Sequence, residues 1–146
     1  SKYITKSNHI GTTVLPVTNQ NKIILIKEFR VPFMKYFWQG ITGSCKKNYN
    51  PLKNAKDELR EEAGYNAGKW TKIAEYHPTY GLVNQTCITY LAEKLNFVGQ
   101  DREKTELIDD MKEFSIKEAF EMIKNKQITH EGTILAIYYL NNKLKR

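Results

Sequence analysis

A chain of 146 residues, 40% hydrophobic and 27% charged, is long enough to enclose one sizeable core and too apolar to be read as disordered, so residues 1 to 146 are read as a single domain. No apolar run approaches the ~20 residues that cross a bilayer, and the start Ser1-Lys2-Tyr3-Ile4-Thr5-Lys6 lacks the apolar stretch of a signal peptide, which sets a cytoplasmic protein with no membrane partner as the expectation. The net charge of +7, from 23 Lys+Arg against 16 Asp+Glu, favours anionic ligands such as nucleotides, but the lysines are dispersed without interleaved aromatics, which argues against a nucleic-acid module.

In chain order, the β-rich runs 12 to 17 and 22 to 30 flank Asn19-Gln20-Asn21 and predict a hairpin. Pro32, Gly40 and Gly43 then predict a loop that carries Phe33, Tyr36, Phe37 and Trp38, rings that need cover from the core or from a ligand. Asn50 is a good N-cap, Pro51 a good first helical residue and Gly64 a good left-handed terminator, so the pattern predicts a helix over 51 to 63 with Leu52, Ala55, Leu59 and Ala63 as its buried stripe.

Residues 70 to 76 and 85 to 95 read as strands around a loop at His77-Pro78-Thr79-Tyr80-Gly81. Ser115-Ile116-Lys117-Glu118 has the form of a capping box and predicts a second helix, and a third is expected from about 129 to 142. Cys45 and Cys87 fall in no disulfide or zinc pattern and read as reduced thiols, while His77 and His130 have no partner spacing for a metal and read as structural. The order of elements predicts an α/β (α+β) fold, an α/β/α sandwich with a mixed sheet.

Glu58, Glu61 and Glu62 stand at i, i+3 and i+4, which on a helix gathers the carboxylates on one face. Their repulsion costs a few tenths of a kcal/mol per exposed pair, and a hard divalent cation with oxygen ligands would remove it. The bland reading is a solvated acidic face paired to Lys53, Lys56 or Arg60. Thr42-Gly43-Ser44 ahead of the helix favours the metal, because glycine lets a carbonyl or phosphate come close.

Residues 43 to 65 resemble the signature of the Nudix hydrolases, G-x5-E-x7-R-E-U-x-E-E-x-G-U with U a bulky apolar residue. Gly43, Glu58, Leu59, Glu61, Glu62 and Gly64 match, and Tyr65 stands at the last apolar position. Phe37-Trp38-Gln39-Gly40-Ile41-Thr42-Gly43-Ser44 resembles the segment entering this signature in dihydroneopterin triphosphate pyrophosphatases and other small MutT-type members. Lys27-Glu28-Phe29-Arg30, the region 81 to 93 and the stretch 106 to 140 resemble ADP-ribose and nucleotide-sugar pyrophosphatases instead.

The resemblance implies a Mg²⁺-dependent, or Mn²⁺-dependent, hydrolase that splits the diphosphate bond of a nucleoside diphosphate linked to another group, nucleotide-sugar- or ADP-ribose-like ahead of a pterin or nucleoside triphosphate, with a homodimer compatible with it. It implies Glu58 and Glu62 as principal metal ligands, with Glu61 as third carboxylate and the Thr42 carbonyl completing the set. Glu61, from the signature, or Glu106, from a later loop, is the implied general base, with Glu103 and Asp109 as rivals. Arg30, Trp38, Gly43 and Tyr80 are the expected substrate contacts.

Two positions depart from the family. Tyr49 stands where a glutamate is usual and Asp57 where an arginine is usual, replacing the ion pair that ties the loop to the helix. Losing one partner would strand a charge, whereas losing both can be nearly neutral, and a Tyr49 hydroxyl bonded to the Asp57 carboxylate is the expected substitute brace. The alternative is a catalytically weak or inactive nucleotide- or RNA-binding module on the same fold; an interaction domain with an incidental acidic helix is a third reading.

Overall fold

The computed structural model describes residues 9 to 46, 48 to 101, 103 and 108 to 145. Among the described residues seven strands form two sheets. The mixed sheet has the order β4-β1-β6-β5, built from β1 (His9–Pro16), β4 (Ile41–Ser44), β5 (Tyr65–Tyr76) and β6 (Gln85–Phe97), and the antiparallel sheet has the order β3-β2-β7, built from β2 (Ile23–Arg30), β3 (Lys35–Gln39) and β7 (Ile108–Phe114). Parallel pairing of β1 with β6 runs from His9 opposite Gln85 to Pro16 opposite Ala92.

The expected hairpin between the first two strands does not form. Their only pairing among the described residues is a bridge from Val17 to Ile23, after which β1 and β2 enter different sheets. The expected loop after Pro32 is likewise a short 3-10 turn, Val31–Phe33, followed by β3 and β4. Gly40 sits between these strands where an added Cβ would lie 2.6 Å from the Val14 carbonyl oxygen, so the glycine permits close strand passage rather than opening a loop.

Strand alternation divides the interior into two apolar clusters. Leu15, Ile23, Leu25 and Leu91 pack with Ala119 and Met122 of α2 (Ile116–Lys124) and with Ala136, Ile137 and Leu140 of α3 (Glu131–Leu144). Val14, Ile26, Ile41, Ile88 and Tyr90 pack with Ala55 of α1 (Pro51–Glu58) and with Leu59 and Ala63 of the turn that follows it. Burial of each such Leu or Ile stabilises the fold by about 1.5–3 kcal/mol. Helices thus cover the β layer from two sides, the expected sandwich.

The helix ends are well specified. Asn50 accepts the Lys53 N–H at 3.1 Å, and Ser115 and Glu118 form the reciprocal capping box before α2. The predicted helix over 51 to 63 keeps its extent, but its last part, Leu59–Ala63, is a wider π-helical turn. Gly64 closes that turn at φ 81°, its N–H shared between the Leu59 and Arg60 carbonyls at 3.1 Å each. A side chain there would also meet the Phe97 ring at 2.8 Å, so both conformation and space require glycine.

Candidate active site

The site is organised by β4, which pairs with β1 so that Thr42 faces Thr13 and Gly43 faces Thr12. Buried Asn54 of α1 donates to Thr12 Oγ1 at 3.0 Å and so fixes the helix against β1. In the loop ahead of α1 the Tyr49 hydroxyl donates to the Asp57 carboxylate, as anticipated from the paired departures. Lys53 stands 3.8 Å from Asp57 and 5.2 Å from the Tyr49 ring centre. A hydroxyl, a carboxylate and a cation therefore brace the loop in place of an Arg–Glu pair.

Gly43 and Glu58 touch. An added Cβ at Gly43 would lie 2.7 Å from both Cγ and Cδ of Glu58, so glycine is what lets this carboxylate lie against the strand. Glu62 follows on the π-helical turn, with Oε2 buried and meeting no donor. Burial, then the Glu58 charge and a hydrogen bond shared with Glu58, then the charges of Glu28 and Glu61, push the Glu62 carboxyl up to about 9. Glu61 is half-buried with Arg60 3.6 Å away. Among the described residues no three His, Cys, Asp or Glu side chains converge as a ready-made metal cage; Glu58 and Glu61 are close enough to Glu62 to disfavour its charge.

Glu28, opposite on β2, is a site residue that sequence reasoning missed. Its Oε2 is 2.9 Å from Arg30 Nη2 and accepts from Gln39 Nε2 at 3.4 Å. Gln39 Oε1 accepts from Arg30 Nε at 3.0 Å and from Nη2 at 2.8 Å, while Gln39 Nε2 also donates to Thr42 Oγ1 at 3.1 Å. Glu28, Arg30, Gln39 and Thr42 thus form one network. Period-2 alternation on β2 put Glu28 and Arg30 on one face, but nothing local marked Gln39 as their partner.

Two clefts meet at the start of α3. One, of about 460 Å³, is lined by Arg30, Phe33, Phe37, Gln39, Thr129, His130 and Glu131. The other, of about 330 Å³, includes Thr42, Gly43, Ser44, Thr13, Gln85, His130 and Glu131. His130 Nδ1 caps α3 through the Thr133 N–H at 3.3 Å, and the Thr133 hydroxyl, 3.0 Å from Nδ1, accepts from Gly40 N at 2.9 Å. Burial, then the charge of Arg30, hold His130 down at about 4, so the imidazole is neutral, as an accepting cap must be.

Of the sequence-predicted residues, Glu58, Glu61, Glu62, Thr42, Gly43 and Arg30 are brought to this region. Trp38 is placed elsewhere: β3 alternation turns Gln39 toward Arg30 and leaves Trp38 in the core, ring to ring with Phe114 at 4.9 Å. Tyr80 is 86% exposed and lines neither cleft. Asp109 pairs with Lys27 at 3.5 Å. Glu106 lies outside the described residues.

No family model matches the chain. It is 33% identical over 135 residues to an ADP-ribose pyrophosphatase of Bacillus subtilis (strain 168), covering 91% of this chain and 72% of that protein. It is 29% identical over 134 residues to the methanol dehydrogenase activator of Bacillus methanolicus, covering 89% of this chain and 71% of that protein. A crystal structure of an ADP compounds hydrolase superposes with a TM-score of 0.84 at 16% identity, covering 95% of this chain and 74% of the other. The fold is an α/β/α sandwich, and the similarity to the Bacillus subtilis enzyme makes the chain a hydrolase of phosphoric anhydrides. The chain belongs to the Nudix hydrolase superfamily and is a Nudix pyrophosphohydrolase.

Proposed function

We propose that residues 1 to 146 form one catalytic domain that hydrolyses the diphosphate of a nucleoside diphosphate joined to a second group, an ADP-ribose-like compound, in a reaction requiring Mg²⁺ or Mn²⁺. The substrate class is supported by the activity named for the Bacillus subtilis relative. The observation that carries the metal is Glu62, a carboxyl with a buried oxygen lacking a donor, crowded by Glu58, Glu61 and Glu28. Oxygen donors of this kind suit a hard divalent cation, and Gly43, lacking a side chain, lets the Glu58 carboxylate lie against β4.

Glu58 and Glu62 would hold the ion, with Glu61 and the Thr42 carbonyl beside them. Such an ion supplies charge neutralisation at the phosphoryl oxygens and acidifies the attacking water. The chain's own part is to place the substrate: Arg30 binds a phosphate, and Gly43 leaves room for its approach. Glu61, or Glu106, takes the proton of the attacking water. Water adds at phosphorus, the P–O–P bridge breaks, and two phosphomonoesters leave. The Tyr49–Asp57 brace favours this enzyme reading over an inactive binding module. The free thiols Cys45 and Cys87 support a reducing, cytoplasmic setting, and among the described residues no helix is long and apolar enough to cross a membrane.

A panel of nucleoside diphosphate derivatives incubated with Mg²⁺, Mn²⁺ or chelator tests the proposal. The parent should cleave ADP-ribose to AMP and ribose 5-phosphate only with metal, and Glu62→Gln should be inert. Equal turnover by both proteins would remove the carboxylate cluster from the chemistry.

A further inference from the structure

We infer that Gln39 is a positioning residue for substrate binding: its side-chain amide sets the orientation in which the Arg30 guanidinium meets a substrate phosphate. The inference rests on the proposed diphosphate substrate and goes beyond it, because Gln39 carries none of the metal chemistry. Gln39 is 2% exposed and sits at the end of β3, opposite Ile26 of β2.

Its amide is used at both ends. Oε1 receives Nε and Nη2 of Arg30, whereas Nε2 donates to Glu28 Oε2 and Thr42 Oγ1. These contacts and the Glu28 ion pair engage Nε and Nη2, which leaves Nη1 as the guanidinium nitrogen not held by these partners. Arg30 lines the cleft with Phe33, Phe37 and His130, and Thr42 lines the adjoining cleft beside Gly43.

Only an amide satisfies this geometry. A guanidinium on a three-carbon stem samples many rotamers, and fixing it before a ligand arrives lowers the entropy lost on binding. A glutamate at this position would accept from Arg30 but could not donate to Glu28 or Thr42, and it would set another negative charge beside Glu28. A leucine of similar size would fill the space but take the Gln39 acceptor from Nε and Nη2, leaving the guanidinium held by Glu28 and a 3.5 Å contact with Thr42 Oγ1 and free to turn about that ion pair. Either change acts on substrate affinity through Arg30 and leaves Glu58 and Glu62 in place.

The test is a double-mutant cycle on the full chain, with parent, Gln39→Leu, Arg30→Ala and the double variant, repeated with Gln39→Glu in case the leucine variant folds poorly. Melting midpoints verify folding, steady-state ADP-ribose hydrolysis in Mg²⁺ gives KM and kcat separately, and calorimetry with ADP in chelator gives affinity without chemistry. Gln39→Leu should raise KM and the ADP dissociation constant about tenfold in the Arg30 background and less than about twofold in the Arg30→Ala background, with kcat changed by less than about threefold. The same penalty in both backgrounds, or a fall in kcat at unchanged KM, would overturn the inference. Absence of ADP-ribose turnover by the parent would count against the proposed function instead, and the ADP cycle would still decide the role of Gln39.

Discussion

The π-helical turn Leu59–Ala63 and the start of α3 flank the same strand, β4, and carry opposite electrostatic loads. On the first side burial, and after it the neighbouring Glu58 with Glu28 and Glu61, push Glu62 up to about 9; on the second a neutral His130 caps a helix N-terminus, whose amides and dipole favour anions. Gly43 meets Glu58 on the acidic side and, together with Thr42 and Ser44, also lines the cleft that reaches His130 and Glu131. One short strand therefore borders both the proposed cation site and a helix N-terminus that suits an anion. A metal–diphosphate pair needs both within a few ångströms.

The sharpest way to break this contrast is on the acidic side. Glu62→Gln should reduce metal-dependent turnover by roughly a hundredfold or more, because it removes a proposed metal ligand, while in chelator the variant should melt close to the parent at neutral pH, since a neutral amide replaces a carboxyl that burial and its neighbours keep protonated. Steady-state kinetics and thermal melting read the two effects separately.

Gly43→Ala comes next. The added methyl would lie 2.7 Å from Glu58 Cγ and Cδ, so Glu58 must swing away, and a displacement of about an ångström at a reacting centre lowers kcat by up to about a hundredfold. Restored activity on pairing Gly43→Ala with Glu58→Asp, which draws the carboxyl back by one methylene, would show that the clash is the cause.

On the cleft side His130 makes stability pH-dependent. Its folded pKa of about 4 lies below the ordinary 6.5, so between these values the unfolded chain binds more protons and stability rises with pH. The neutral imidazole is fully favoured above about 6.5, and of order 2 kcal/mol is lost as pH falls toward 4. Denaturant melts across that range should flatten in His130→Asn, which keeps an N-cap acceptor.

The smallest effect is expected at the brace. Tyr49→Phe removes the hydroxyl donor to Asp57 and should lower stability by about 1 kcal/mol, read as a fall in melting midpoint of a few degrees. A larger drop in turnover than in stability would show that the brace also holds Glu58 in register.

Those experiments bear on features of unequal visibility in the sequence. The helix start at Asn50-Pro51, its buried stripe, the Gly64 stop and the Ser115 capping box were legible because caps and periodicity are local signals. So was the Tyr49–Asp57 contact, since two complementary departures eight residues apart fall one loop from each other. The π-helical turn was not, because a 3.6-residue period does not report which turn is widened.

Partner choice among strands was hidden. Val14 and Tyr90 pair across a parallel ladder, and a polar turn at Asn19-Gln20-Asn21 says nothing about that. Strand β7 was missed because Ile108-Asp109-Asp110-Met111-Lys112-Glu113-Phe114 has a weak strand pattern, and its ladder with β2 decides its conformation. Glu28 and Gln39 entered the site only through tertiary contacts, whereas Trp38 left it because one step along β3 reverses the side.

Manganese binding tests the central claim most directly. Titrating Mn²⁺ into the full chain while following the free-ion resonance by electron paramagnetic resonance, with and without AMP, should show saturable binding by the parent that is lost in Glu62→Gln and in Glu58→Gln. Equal Mn²⁺ binding by all three proteins, or none by the parent even with nucleotide present, would contradict the assignment of this carboxylate cluster as the metal site.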